Sequence, residues 1–237
     1  MDKSFQREAL ILAGGLGTRL RPAINDRPKP LADVVGRPFL ERLLDQLGRF
    51  DYQRAILCVG YRGEQVRTQL GDRYGALALD YSFEEHPLGT GGALRKAAPM
   101  LQAPHVLAMN GDSYCDIDLA AFAAAHLRFG GEATMAVLHR DDRHRSGTVE
   151  LDAQSRIVAF ASRPAVPQPG LINAGVYMFR RAGLDAIPQD RAVSLEDEVF
   201  PQIVARQTLF GWRIGANFID IGTPESYRDA QKFFAER

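Results

Sequence analysis

The sequence runs to 237 residues, of which 46% are hydrophobic and 24% charged, enough for a sizeable core beneath a soluble surface. Its 29 basic residues balance 29 acidic ones, which argues against broad nucleic-acid or membrane-surface binding, since both draw on a basic field. No apolar stretch reaches membrane-spanning length and the first residues hold too short an apolar run for a signal peptide, so a cytoplasmic location is the default expectation.

In chain order, a continuous apolar run predicts a buried strand over 9–13, which leads straight into Gly14, Gly15 and Gly17. Phe39, Leu40, Leu43, Leu44 and Leu47 then recur at helical spacing, with Pro38 suited to the first turn. A strand over 54–60, a helix over 64–70, a strand over 77–84, a helix over 91–101 and a strand over 105–110 follow. This alternation implies a largely parallel sheet with right-handed crossovers. Asp116 and Asp118 read as entry residues to a helix over 119–128. Strand candidates at 134–139, 148–151, 157–161 and 172–179 come close together, as antiparallel additions to the sheet do. Ser194 is an expected N-cap for a helix to about 206, and an amphipathic helix over 223–236 turns Tyr227, Ala230 and Phe234 inward. The expectation is a single domain, with the second half supplying an acceptor pocket. Cys58 and Cys115 read as buried free thiols, the histidines show no metal-ligand spacing, and Trp212 reads as a packing residue.

The most informative segment is LILAGGLGTRLRP at 10–22. Glycines after a buried strand let the backbone turn sharply and bring amide N–H groups close to an anion. A dinucleotide fingerprint starting at Gly15 needs glycine at 20, where Leu20 stands, and no Gly-Lys-Ser/Thr tripeptide appears. Arg19 in the same loop supplies one cation. Lys29, stiffened by prolines on both sides, supplies a second.

LAGGLGTRLRP followed by KPL resembles the signature of the sugar nucleotidyltransferase family, and the likeness continues through LGTGGAL at 88–94, NGD at 110–112, NAGVYMF at 173–179 and FIDIGTPESY at 218–227. The resemblance implies an α/β fold: a Rossmann-like, mixed and mostly parallel sheet with helices on both faces. It also implies a nucleoside triphosphate over the glycine loop, contacted by Leu12, Ala13, Gly14, Gly15, Gly17 and Thr18. Arg19 and Lys29 are then the catalytic cations. Asp112 and Asp220 stand at strand ends and, by the same resemblance, hold the metal; two hard carboxylates with phosphate oxygens and water suit Mg²⁺.

Glu84, Glu85, Gly89 and Thr90 follow a strand and precede a helix, a suitable seat for the base. A carboxylate accepts two hydrogen bonds from guanine N1–H and its amino group, whereas uracil or thymine suits an amide partner. Glu84 or Glu85 therefore biases the expectation toward GTP. The detail is most similar to the heptose 1-phosphate guanylyltransferase branch, with mannose 1-phosphate guanylyltransferases as close relatives, so the sugar 1-phosphate stays open. Asn110, Gly147, Arg163, Asn173 and Glu196 are sugar-phosphate candidates by motif position. One departure matters: Ser162-Arg163-Pro164 replaces the common Glu-Lys-Pro, which puts the usual sugar-hydroxyl contact at 162 in doubt.

Three rivals remain at this level. Other bases are one: a uridylyl-, thymidylyl- or cytidylyltransferase. A glycosyltransferase reading rests on Asp116-Ile117-Asp118, whose spacing matches a two-aspartate metal motif. A non-catalytic nucleotide-sugar sensor is the third. Apolar faces on the last helices are suited to a homodimer.

Overall fold

The computed structural model describes residues 7–20, 23–24, 26–141, 148–161, 169–189, 191–215 and 217–237. The chain starts with β1 (Glu8–Leu12), passes a 3-10 turn at Lys29–Leu31 and the hairpin β2 (Asp33–Val34) and β3 (Arg37–Pro38), then enters α1 (Phe39–Arg49). Next come β4 (Arg54–Val59), α2 (Gly63–Leu70), β5 (Arg73–Tyr74), β6 (Leu77–Phe83), α3 (Gly89–Ala97) and β7 (His105–Asn110). The middle holds β8 (Ser113–Cys115), α4 (Leu119–Phe129), β9 (Ala133–Arg140), β10 (Thr148–Leu151), β11 (Ile157–Ala161) and β12 (Gly170–Arg180). The end holds α5 (Arg181–Asp185), a π-helical turn at Leu195–Val199 running into α6 (Phe200–Ala205), β13 (Leu209–Arg213), β14 (Phe218–Asp220) and α7 (Pro224–Ala235).

Ten strands form one sheet in the order β11-β10-β12-β7-β1-β4-β6-β5, with β9 pairing both β12 and β13. The centre is parallel, since β1 pairs that way with β4 and β7, and β4 with β6. Antiparallel strands extend it, β12 on β7 and β10 on β12. β1 shows why it is central: Ile11 faces one core layer and Leu10 the other, and both are fully buried. The first layer packs under α1, α4 and α7, and the second under α3 and α6.

α1 buries Phe39, Leu40, Leu43, Leu44 and Leu47, the predicted face. Each such side chain contributes roughly 1.5–3 kcal/mol, so Leu43→Ala should cost about 2–5 kcal/mol. Pro38 is not in the first turn: with φ −52° and ψ 134° it is the N-cap, because it also closes the β2–β3 hairpin. Asp118 caps α4, accepting from the Ala121 N–H, whereas Asp116 pairs with Arg237 and takes no part in that cap. α3 begins at Gly89, earlier than the spacing predicts, and ends at Ala97 in a 3-10 turn. The expected N-cap at Ser194 holds, but the first turn after it is π-helical. Both cysteines are buried free thiols. Among the described residues no helix is long and apolar enough to cross a membrane.

Parallel strands end together. Leu12 lies opposite Cys58 and Asn110, and Val59 opposite Phe83, so the loops after β1, β4, β6 and β7 share one carboxyl edge. Beside that edge β14 pairs with β8 in a separate two-stranded ribbon, with Asp220 opposite Ser113.

Candidate functional site

The loop after β1 is shaped by close approach. A Cβ on Gly14 would lie 2.7 Å from Glu84 Oε1 and 3.2 Å from the Gly60 nitrogen, so any larger residue would push the Glu84 carboxylate from its place. Gly17 has φ +61°, and the Leu20 N–H donates to its carbonyl to close a turn anchored by the buried Leu20. Gly15 has open space around it, so packing does not require glycine there. Thr18 and Arg19 are exposed at the rim. Together with Lys29, Glu84, Asn110 and Asp112, this loop lines a cleft of about 420 Å³. A larger concavity of about 1160 Å³ lies elsewhere, lined by Arg49, Tyr74, Tyr114 and Phe234, and shares no residue with the cleft. Size therefore does not select the site; convergent charge does.

Lys29 reaches across the cleft floor. Its Nζ donates to Asp112 Oδ2 at 2.5 Å, and the lysine side chain is only 10% exposed. Gly111 permits this strand end, because a Cβ there would lie 2.6 Å from the Leu12 carbonyl oxygen. Asp220 arrives from β14. The Ile221 N–H donates to the Asp112 carbonyl at 2.9 Å, which ties the two aspartate segments together. Asp220 Oδ1 accepts from the Gly222 N–H at 2.6 Å and from Ser226 Oγ at 2.8 Å, so its carboxylate is oriented. A Cβ on Gly222 would lie 2.8 Å from that Asp220 oxygen and 3.8 Å from Lys29 Nζ. The Lys29 ammonium thus sits on one carboxylate, Asp112, with the Asp220 segment beside it across Gly222. No group of three or more His, Cys, Asp or Glu side chains suited to a metal occurs among the described residues. Two carboxylates with phosphate oxygens and water fit Mg²⁺, which seldom uses an all-protein cage.

Of the two acids after β6, Glu84 lines the cleft and Glu85 is exposed outside it. Glu84 Oε2 accepts from the Leu88 N–H at 2.9 Å, and burial holds its carboxyl above the usual carboxylate range. Gly89 and Thr90 line the same cleft, and the glycines also admit a neighbouring segment of the chain. Gly89 has φ +71°, and a Cβ there would lie 2.5 Å from the Val193 carbonyl oxygen; Gly91 also abuts Val193. They admit the 191–195 segment against α3. Thr90 Oγ1 accepts from the Leu195 N–H at 2.9 Å and continues that junction.

The acceptor candidates Asn110, Asn173 and Glu196 converge. Asn173 Nδ2 donates to Tyr177 Oη at 2.8 Å and to Glu196 Oε1 at 3.0 Å, while Asn173 Oδ1 accepts from the Gly175 N–H at 2.9 Å. The Asn110 side chain comes close to the same strand, where a Cβ on Gly175 would lie 2.6 Å from its Nδ2. Gly147 and Arg163, with Ser162 and Pro164, lie outside the described residues. Tyr177, Ser226 and Gly111 escaped the sequence reading. Tyr177 falls in a near-continuous apolar strand run and looks like core, and only its hydroxyl in that stretch signals otherwise.

A profile of the nucleotidyl transferases matches residues 8–237. The chain belongs to the nucleotidyl transferase family. It is 36% identical to a D-glycero-alpha-D-manno-heptose 1-phosphate guanylyltransferase of Aneurinibacillus thermoaerophilus, over 95% of this chain and 97% of that relative. It is also 36% identical to a mannose-1-phosphate guanylyltransferase of Mycobacterium tuberculosis, covering 94% of this chain and 63% of that longer protein. The crystal structure of HddC from Yersinia pseudotuberculosis complexed with GMP-PN superposes with a TM-score of 0.84 at 31% identity, over 96% of this chain and 99% of that one. The expected mixed α/β architecture of this family is therefore the fold observed.

Proposed function

We propose that this chain is a sugar 1-phosphate guanylyltransferase that transfers GMP from GTP to a manno-heptose 1-phosphate and releases pyrophosphate. The observation that carries this reading is the convergence at one sheet edge of the glycine loop, the Lys29 ammonium and the Asp112 and Asp220 carboxylates. The relatives named for guanylyl transfer support the base and the sugar class.

In the proposed step a sugar phosphate oxygen attacks the α-phosphorus of GTP. One P–O bond forms there, the bond to the β-phosphate breaks, and pyrophosphate leaves with the electron pair. The nucleophile is already an anion, so the chain needs no protein nucleophile and no strong base. Its work is positioning and charge neutralisation. Arg19, exposed on the rim of the cleft, meets the leaving phosphates, and Lys29 meets the α-phosphate and the acceptor from the cleft floor. Asp112 and Asp220 are the residues that would hold Mg²⁺, which supplies charge neutralisation on the phosphate oxygens. Glu84, rather than the exposed Glu85, is the guanine-reading acid in this proposal. The first half of a single domain carries the nucleotide, and the second half carries the sugar phosphate through Asn110, Asn173, Glu196, Gly147 and Arg163. A charged triphosphate and a charged sugar phosphate as substrates put this work in the cytoplasm.

Mannose 1-phosphate is the second reading for the acceptor, favoured by the Mycobacterium relative. The test is pyrophosphate release with Mg²⁺, five nucleoside triphosphates and a panel holding manno-heptose 1-phosphate and mannose 1-phosphate. GTP with the heptose should give the highest kcat/KM. A preference for UTP overturns the base, a preference for mannose 1-phosphate overturns the sugar, and consumption of a nucleotide-sugar without pyrophosphate overturns the reaction.

A further inference from the structure

Tyr177 is 2% exposed on β12, its ring against Phe179 and Phe200 with centroids 6.0 and 5.2 Å away. A phenylalanine would fill that space. A hydroxyl in an apolar layer is unfavourable unless it is hydrogen-bonded, and this one accepts from Asn173 Nδ2 at 2.8 Å. The cluster it joins draws on three separate elements. Asn110 ends β7 two residues before Asp112, Asn173 stands where the β12–β9 register shifts, and Glu196 rides the π-helical turn. Register shifts and π-turns both gather at functional sites because they re-aim side chains. Gly175, with φ +71°, completes the arrangement: a Cβ there would lie 2.6 Å from Asn110 Nδ2.

Hydrogen-bond accounting on Asn173 gives the consequence. A side-chain amide has two N–H donors and two carbonyl lone pairs. Both donors are committed, to Tyr177 and to Glu196, and one lone pair takes the Gly175 N–H. A single carbonyl lone pair is left for a ligand. We propose that the Tyr177 hydroxyl is a positioning group that fixes the Asn173 amide, so that Asn173 meets the acceptor only by accepting a hydrogen bond. Beside the Glu196 carboxylate, Asn173 then presents its carbonyl oxygen rather than N–H donors. That oxygen takes a hydroxyl of a polyol ring and not a phosphate oxygen, which leaves the phosphate to Lys29 and Arg19. Tyr177 therefore sets the orientation of the sugar in the cleft. The inference rests on the sugar 1-phosphate reading above and adds a residue to it.

The test is Tyr177→Phe, which keeps the ring and removes the hydroxyl. KM for the best sugar 1-phosphate should rise about tenfold, the scale of one oriented hydrogen bond, while KM for GTP stays within about twofold. In a double-mutant cycle, adding Tyr177→Phe to Asn173→Ala should bring no further rise, because the hydroxyl acts through that amide. A packing role alone would lower the melting temperature and weaken both substrates alike, and that result overturns the proposal. So does an unchanged acceptor KM. Should Tyr177→Phe fail to fold, Asn173→Ala must show the same split between the two KM values; equal loss for both substrates overturns it. Wild-type protein that makes no pyrophosphate with any sugar 1-phosphate overturns the functional reading first, which separates the two failures.

Discussion

Replacing Lys29 by methionine tests the cation position directly. Lys29 Nζ lies on Asp112 Oδ2, with side-chain exposures of 10% and 38%. A fully exposed ion pair is worth about 0–1 kcal/mol, and a hydrogen bond to a charged group about 1.5–3 kcal/mol. This half-covered contact falls between them, at roughly 1–2 kcal/mol. A divalent ion that needs the same carboxylate oxygen must first displace the ammonium, so the contact opposes metal binding by that amount. Lys29→Met should therefore tighten Mn²⁺ binding to the nucleotide-free protein by about 5- to 30-fold. It should also lower turnover roughly a hundred- to a thousandfold, since the cation is lost from the transition state. The free Mn²⁺ signal in electron paramagnetic resonance gives the affinity without any need for activity, with Asp112→Asn as the control that loses binding. Equal or weaker Mn²⁺ affinity in Lys29→Met refutes the idea that the lysine stands where the ion goes.

Three further outcomes are expected. Arg19→Ala and Asp112→Ala should each lower kcat about a hundred- to a thousandfold with little change in melting temperature; wild-type turnover in either removes that residue from the chemistry. Glu84→Gln should reduce the GTP-over-UTP ratio of kcat/KM by about 10- to 100-fold, the scale of one charge-assisted hydrogen bond, and an unchanged ratio assigns base choice elsewhere. His126 gives a pH dependence. It is buried between His105, 2.9 Å away, and Thr134, also at 2.9 Å, with Arg180 nearby, and burial pushes its pKa from the ordinary 6.5 down to about 4. The unfolded chain then takes up a proton before the folded one does. Stability is full above about pH 6.5 and falls as the pH drops toward 4, by roughly 2–3 kcal/mol. Melting curves should show this slope in the wild type and a flatter one in His126→Gln; parallel curves exclude the histidine pair as its source.

What the sequence made legible follows from how local each signal is. β1, β4 and β7 are buried on both faces and therefore appear as unbroken apolar runs, and α1 appears through its spacing. β2, β3, β5 and β8 are two or three residues long, too short to carry a period, whereas the equally short β14 shows as the apolar run that ends at Asp220. β13 has five residues but pairs with β9 across a gap of about seventy positions, a contact no local pattern encodes. The same divide runs through the site. Gly14, Gly17, Arg19, Lys29, Asp112 and Asp220 sit in dense motifs, yet the proximity of the two aspartates depends on the β8–β14 pairing. The Gly89–Gly92 cluster was visible as a need for close approach, but which neighbour approaches was not. Tyr177 was hidden because its ring satisfies the core pattern while its hydroxyl bonds the Asn173 amide.

The ribbon that delivers Asp220 stands apart from the ten-stranded sheet and consists of three residues on each side. So short a pair is marginal alone, and it leans on α7, where Phe234 packs edge-on against Phe39 and Tyr114. The second carboxylate thus rests on an element whose own pairing is short and whose place is held by packing against α7. In rising denaturant, catalysis should disappear before the main sheet melts, and amide protons at Ile219 and Ile221 should exchange ahead of those at Leu10 and Ile11. Competence is thus expected to be lost at a lower threshold than foldedness.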